Sequence, residues 1–272
     1  VAYLSADFHD HATARRTAGL LERHDRTRFA VTAVSFGPDD GSAMRARMQS
    51  ACERFVDVRQ QSDADVARWL REQEFDIAVD LKGYTADARP GILARRPAPV
   101  QVAYLGYPGT LGAEYIDYVV ADAVVVPPGD EAHYVERVVR MPESYQANDA
   151  RPAMPERGPT RAEAGLPAAG LVFCSFNSSY KITTPVFAIW MRLLHAVEGS
   201  VLWLLEGNAA APDNLRRAAG AHGIAPERLI FAPVAKHAEH LARQRLADLF
   251  LDTLPVNAHT TASDALSVGL PV

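Results

Sequence analysis

Cysteine is almost missing from this 272-residue chain. Cys52 and Cys174 are the whole supply, too few for a disulfide framework, so a reducing compartment and a cytoplasmic location are expected. Lysine is nearly as rare: of 28 basic residues only Lys82, Lys181 and Lys236 are lysines. A surface decorated with arginine leaves each retained lysine less incidental. No apolar run approaches the roughly 20 residues of a membrane helix. The opening run Val1–Ser5 carries no basic segment of a signal peptide. A net charge of −5 gives no basic signature for nucleic acid or an anionic membrane surface. No period near the roughly 34 residues of a tetratricopeptide repeat is visible.

What is present is ordinary globular material, 48% apolar and 22% charged, enough to bury a core. The length predicts one large or two medium domains. In the first half, Val1–Ser5, Phe29–Phe36, Phe55–Val58, Asp76–Leu81, Val100–Leu105 and Tyr118–Ala121 read as strands. Amphipathic helices at Ala12–His24, Ala43–Cys52 and Asp63–Gln73 separate them. Strands alternating with helices predict right-handed crossovers and a parallel sheet. Residues 148–170 are rich in Pro, Gly, Ala and Arg and read as a linker. A second series follows, with strands at Leu171–Phe176, Val201–Leu205, Leu229–Phe231 and Leu249–Leu251. Its helices fall near Pro185–Val197, Pro212–His222, His237–Leu246 and Thr261–Val268. The division is therefore a Rossmann-like lobe at 1–150, a linker at 151–168 and a second, incomplete Rossmann-like lobe at 169–272. Two doubly wound lobes are expected to hold a ligand cleft at the carboxyl ends of their strands.

The chemistry-bearing residues gather at those ends. Asn257 to Asp264 turns from a strand into a helix, and the free backbone N–H groups and two hydroxyls at that start favour a diphosphate. Asp264, a turn further in, can accept from ribose hydroxyls. The plain alternative is an N-cap, with Thr260 capping and Asp264 complementing the helix dipole. Cys174 to Lys181 follows the first strand of the second series, where Lys181 can neutralise charge on a leaving nucleotide; a solvated loop lysine is the alternative. Ser5 to His11 offers a general base at His11. It also offers a metal site from Asp7, His9 and His11, or a polar loop with Asp10 capping the next helix. Few further ligands stand at neighbouring strand ends, so the base reading ranks first, and no metal or cofactor is expected. Leu105 to Gly112 is glycine-rich, and a sugar can stack on Tyr107 or Pro108 there; a turn is the alternative, as for Lys82 to Thr85. His237 and His240 share a helix face, either as surface histidines or as a base-binding pair.

Taken in order, these segments form a recognisable set. Ser5-Ala-Asp-Phe…His11, Phe36-Gly-Pro-Asp-Asp-Gly41, Gly83-Tyr-Thr, Arg96-Pro-Ala-Pro, Leu105-Gly-Tyr-Pro-Gly-Thr, Phe176-Asn…Tyr180-Lys181, Ser200-Val-Leu-Trp-Leu-Leu205 and His259-Thr-Thr…Asp264 run the length of the chain. Together they resemble the catalytic region of the O-linked N-acetylglucosamine transferase family, above all its bacterial members. The resemblance implies a B-type glycosyltransferase fold, an inverting mechanism, UDP-N-acetylglucosamine as donor and no metal. It makes His11 the base or acceptor-side histidine and Lys181 the leaving-group lysine. It assigns Leu105, Gly106 and Pro108 to the sugar, Thr260 and Thr261 to the diphosphate, and His259 to the diphosphate side where it also meets the sugar. Asp264 falls to the ribose and His240 to uracil, with Ser178, Tyr180, Lys236, His237 and Arg243 on the same nucleotide side. Animal members carry glutamine where Ser178 stands and lysine where His237 stands. The family's tetratricopeptide region, which serves acceptor recognition, is expected at the N-terminal side of the full-length protein.

The expected activity is transfer of N-acetylglucosamine to a Ser or Thr hydroxyl of a protein. A UDP-sugar epimerase or phosphorylase on the same fold would release free altered sugar without acceptor. A non-catalytic UDP-sugar-binding module would bind UDP without turnover.

Overall fold

Apolar runs bounded by amphipathic helices become short parallel strands in the computed structural model, which describes residues 1–150, 155 and 157–272. The chain separates into two units, Val1–Arg151 and Pro152–Val272.

In the first unit the elements are β1 (Ala2–Ser5), α1 (Ala12–Glu22), β2 (Thr32–Ser35), α2 (Ala43–Ser50), β3 (Arg54–Asp57), α3 (Asp63–Glu72), β4 (Ile77–Asp80), α4 (Pro90–Leu93), β5 (Val100–Tyr104), β6 (Tyr118–Ala121) and β7 (Arg137–Arg140). They form one seven-stranded sheet in the order β3-β2-β1-β4-β5-β6-β7, every described pair parallel. Strands β1 and β2 are buried along their whole length because helices cover both faces. Helix α3 shows the local logic. The Ser62 hydroxyl accepts from the Asp65 N–H, Asp63 and Asp65 favour the positive helix start, and Val66, Ala67 and Leu70 are buried. Truncating the fully buried Leu70 to alanine costs about 2–5 kcal/mol.

The second unit holds β8 (Val172–Ser175), α5 (Thr184–Ala196), β9 (Val201–Leu205), α6 (Ala211–Ala221), β10 (Leu229–Ala232), α7 (His237–Gln244), β11 (Leu249–Phe250) and α8 (Thr260–Ser267). Its sheet runs β10-β9-β8-β11, again parallel. The Phe250 N–H donates to the Pro271 carbonyl, so the last residues run beside β11. Trp203, Phe176, Phe250 and Leu270 pack one face of this sheet.

In both sheets the chain winds outward from its first strand and then returns to that strand's other side. The loops after β1 and β4, and those after β8 and β11, therefore diverge at a topological switch point, where open parallel sheets bind ligands.

Several boundaries differ from the sequence reading. Strand β7 was unforeseen, since edge strands tolerate charged residues and Arg137 and Arg140 disguise its valines. Strand β5 stops at Tyr104 because Leu105 adopts a left-handed φ of 67°. Cys52 lies beyond the end of α2, not within it. Of the expected linker, residues 151–154 and 156 lie outside the described residues. Residues 160–166 turn on themselves through backbone bonds and bury Leu166 in the second unit's core.

Candidate functional site

The first switch point is organised by a buried ion pair. Asp7 leaves β1 and Lys82 leaves β4, adjacent strands, and the Lys82 ammonium donates to both Asp7 oxygens at 2.9 Å. Lys82 is 4% exposed and Asp7 6%. Charges so deeply buried persist only when paired. Asp7 Oδ2 also accepts from the Thr13 hydroxyl at 3.1 Å. Asp80, at the end of β4, takes the backbone N–H groups of Lys82 and Gly83, while burial pushes its pKa up.

His11 stands beside this pair, with Nδ1 3.5 Å from Asp7 Oδ2. It is also the N-cap of α1: its Nδ1 accepts from the Thr13 backbone N–H at 3.2 Å. An N–H can only donate, so Nδ1 is unprotonated and the ring proton sits on Nε2. Asp10 does not cap the helix, because its carboxylate is engaged by Arg15. Burial lowers the His11 pKa, with Asp7 opposing the shift. The Asp10 backbone N–H binds Asp40 at 2.9 Å and draws that carboxyl down to about 2, tying the loop after β2 to the loop after β1. Among the described residues no group of three or more His, Cys, Asp and Glu side chains is arranged to hold a metal ion.

The glycine-rich segment lies after β5. A Cβ on Gly106 would sit 2.0 Å from the Leu81 carbonyl, so close approach of two strand ends requires glycine there. Pro108 is half-buried, and its carbonyl accepts from the Tyr134 hydroxyl. Tyr107 stands edge-on to Tyr84 at 5.8 Å between ring centres.

The second switch point gathers more of the expected residues. Lys181 follows β8 in a short 3-10 turn, and its ammonium donates to the Asn257 carbonyl at 2.9 Å. Burial lowers its pKa, and Asp252 counters by favouring the charged form. Helix α8 begins at Thr260 with His259 as its N-cap residue, so Thr260 is the first helical residue and not the cap; the His259 side chain donates or accepts no capping bond. Partial desolvation and the Lys181 charge hold the His259 pKa below the ordinary histidine value. Asp264 accepts from His237 Nε2 at 3.3 Å. Phe176, which follows β8 directly, has His240 edge-on at 5.0 Å and the Arg243 guanidinium over its ring at 5.0 Å. Arg243 donates to His240 Nδ1 at 2.8 Å, which places the His240 proton on Nε2. His237 and His240 are thus half-buried residues of α7 with side-chain partners. Ser178, Tyr180 (79% exposed) and Lys236 lie on the surface. None of them has a hydrogen bond that singles it out.

The sequence does not reveal the partners of three residues: Lys82, a candidate by its rarity, Asn177 within the Cys174 to Lys181 segment, and Asp252 at the end of a strand. For Lys82 the missing information was the adjacency of the first and fourth strands, which brings it to Asp7.

Comparison with known proteins fits this geometry. The chain is 37% identical over 277 aligned positions to a protein of Arabidopsis thaliana described as a probable UDP-N-acetylglucosamine–peptide N-acetylglucosaminyltransferase, SEC; the alignment covers all of this chain and 28% of that protein. It is 26% identical to the UDP-N-acetylglucosamine–peptide N-acetylglucosaminyltransferase of Caenorhabditis elegans, covering all of this chain and 33% of that one. The chain thus spans about a third or less of these relatives. A mutant O-GlcNAc transferase from Thermobaculum terrenum superposes with a TM-score of 0.91 at 32% identity, covering all of this chain and 51% of that one. An Anabaena protein solved with UDP and glucose, at 12% identity and a TM-score of 0.58, shares the fold alone. The fold is that of the B-type glycosyltransferases. With the model of glycosyl transferase family 41 matching residues 1–157 and 158–272, the chain belongs to that family.

Proposed function

We propose that this chain is the catalytic region of an inverting, metal-independent glycosyltransferase. It moves N-acetylglucosamine from UDP-N-acetylglucosamine to a Ser or Thr hydroxyl of a protein. The observation that carries the reading is the convergence of Lys181, the start of α8, Asp264 and the Phe176–His240–Arg243 stack around one switch point. The diphosphate lies against the first turn of α8, where N–H groups lack intrahelical partners and the helix dipole is positive. Uracil packs on His240 and Arg243, and Asp264 takes the ribose hydroxyls in exchange for His237. Ser178, Tyr180, Lys236 and His259 border the same ligand.

Inversion needs in-line attack at C1, so acceptor and departing UDP occupy opposite faces of the sugar. Lys181 neutralises the charge that grows as UDP leaves, an interaction strongest in the transition state. Leu105, Gly106 and Pro108 serve the sugar, and His11 serves the acceptor side. Its Nε2–H is a donor while Nδ1 caps α1. Action as a base requires the proton to move to Nδ1, facing Asp7, and the Thr13 bond to be given up. The same reading takes in a protein acceptor, a preceding tetratricopeptide region and a cytoplasmic location; for the last, no helix among the described residues is long and apolar enough to cross a membrane.

The test compares Lys181→Ala and His11→Ala in the full-length protein, with turnover measured beside UDP affinity. Lys181→Ala is expected to cut turnover on the order of 10²–10³-fold and UDP affinity far less. His11→Ala leaves UDP affinity unchanged. A base role lowers the rate roughly 10²–10⁴-fold and removes the acid limb of the pH profile, whereas an orienting donor costs less and leaves that limb. Chelator leaves wild-type turnover intact. Near-normal turnover in Lys181→Ala, or free altered sugar released without acceptor, refutes the reading.

A further inference from the structure

Asn177 is 3% exposed and joins the two loops of the second switch point. Its Nδ2 lies 3.1 Å from the Thr253 hydroxyl and 3.5 Å from Asp252 Oδ1, and its Oδ1 lies 2.7 Å from the Thr261 hydroxyl. The direction of each bond follows from counting protons. Thr253, fully buried, spends its one hydroxyl proton on the Val256 carbonyl at 2.8 Å. It can therefore only accept from Asn177, and Asp252 is likewise an acceptor. Both fix the amide nitrogen on that side and the amide oxygen toward Thr261. The Thr261 hydroxyl must then donate inward to Asn177.

A diphosphate offers only acceptors, so a hydroxyl whose proton is committed inward has nothing to give it. The relay also pins the segment 253–257, where the Asn257 carbonyl holds the Lys181 ammonium and the Asn257 amide reaches Asp252 at 3.0 Å.

We propose that Asn177 is a positioning residue for the diphosphate end of the site. It takes the Thr261 hydroxyl proton and donates to Thr253, and so fixes both the start of α8 and the loop that anchors Lys181. Thr261 meets a diphosphate through its backbone N–H and not its side chain. This rests on the diphosphate location proposed above.

The experiment titrates UDP and uridine into the full-length protein and its Asn177→Ala, Thr261→Val, Thr261→Ser and Asn177→Ala/Thr261→Val variants. Breaking one buried relay bond is expected to weaken UDP roughly tenfold in Asn177→Ala and in Thr261→Val. Uridine, which lacks the diphosphate, keeps its affinity. Thr261→Ser, which retains the hydroxyl, binds UDP as the wild type does. The double variant is no weaker than the poorer single variant, because the two groups act as one unit. Turnover at saturating donor falls with Asn177→Ala, since the Lys181 anchor shifts. Normal UDP affinity in Thr261→Val overturns the proposal, as do losses that multiply in the double variant or equal losses for UDP and uridine. Thr261→Val keeps the side-chain shape, so the outcome does not depend on Asn177→Ala folding. A wild type that binds uridine and UDP equally removes the diphosphate location itself, and this proposal with it.

Discussion

Replacing Lys82 with methionine strips a buried carboxylate of its counter-ion while keeping the volume of the lysine stem. Both partners are nearly inaccessible, and the ammonium sits 2.9 Å from each Asp7 oxygen. Breaking such a pair from one side costs about 3–5 kcal/mol, because the remaining charge is buried without compensation. The Thr13 hydroxyl still serves Oδ2, which favours the lower end, about 3 kcal/mol. At about 2–4 °C per kcal/mol for a chain of this size, the first unit's melting transition should fall by about 6–12 °C. Asp7→Asn/Lys82→Met, with neither charge, should recover more than half of that. Thermal denaturation followed by circular dichroism reads both shifts. A loss under about 1 kcal/mol, or a double variant no better than Lys82→Met, refutes the ion-pair reasoning.

Two further outcomes test other features. Gly106→Ala forces a Cβ to 2.0 Å from the Leu81 carbonyl and should cost about 1–3 kcal/mol or more. Gly220→Ala, inside α6 with open space around it, should instead stabilise by about 0.5–1 kcal/mol; chemical denaturation of both variants checks the contrast. His11, His24 and His259 have pKa values lowered from 6.5, chiefly by desolvation. Their folded pKa lies below the unfolded one, so the unfolded chain binds more protons just below pH 6.5. Melting temperature should therefore fall as pH drops below 6.5. A triple His→Gln variant should flatten that slope, and an unchanged slope counts against it.

Much of the architecture was legible because both faces of each central sheet are covered. Runs such as Val201–Leu205 are then apolar throughout and end where the loops begin. Legibility failed where backbone or edge effects overrode composition, as at Leu105, whose left-handed φ ends a strand its side chain would continue, and at the edge strand β7. His11, Lys181 and Asp264 could be singled out as candidates because the alternating pattern places the first two in loops after strands β1 and β8 and the third near the start of α8. The relations among them could not. The pairing of Asp7 with Lys82 spans 75 positions and that of Asn177 with Thr261 spans 84, and both exist only because winding places the first strand beside the fourth.

Phe176 meets Trp203 edge-on at 5.0 Å on one side while His240 and Arg243 press on its other flanks. One ring is therefore shared between the interior of the second unit and the groups expected to cradle a nucleobase. A substitution at Trp203, which is 1% exposed, would tilt that ring and change affinity for uridine without touching it. Drift at position 203 is thereby policed twice, once by whether the unit holds together and once by whether the base still fits. A natural variant with a smaller side chain there should carry a compensating change at 176, 240 or 243.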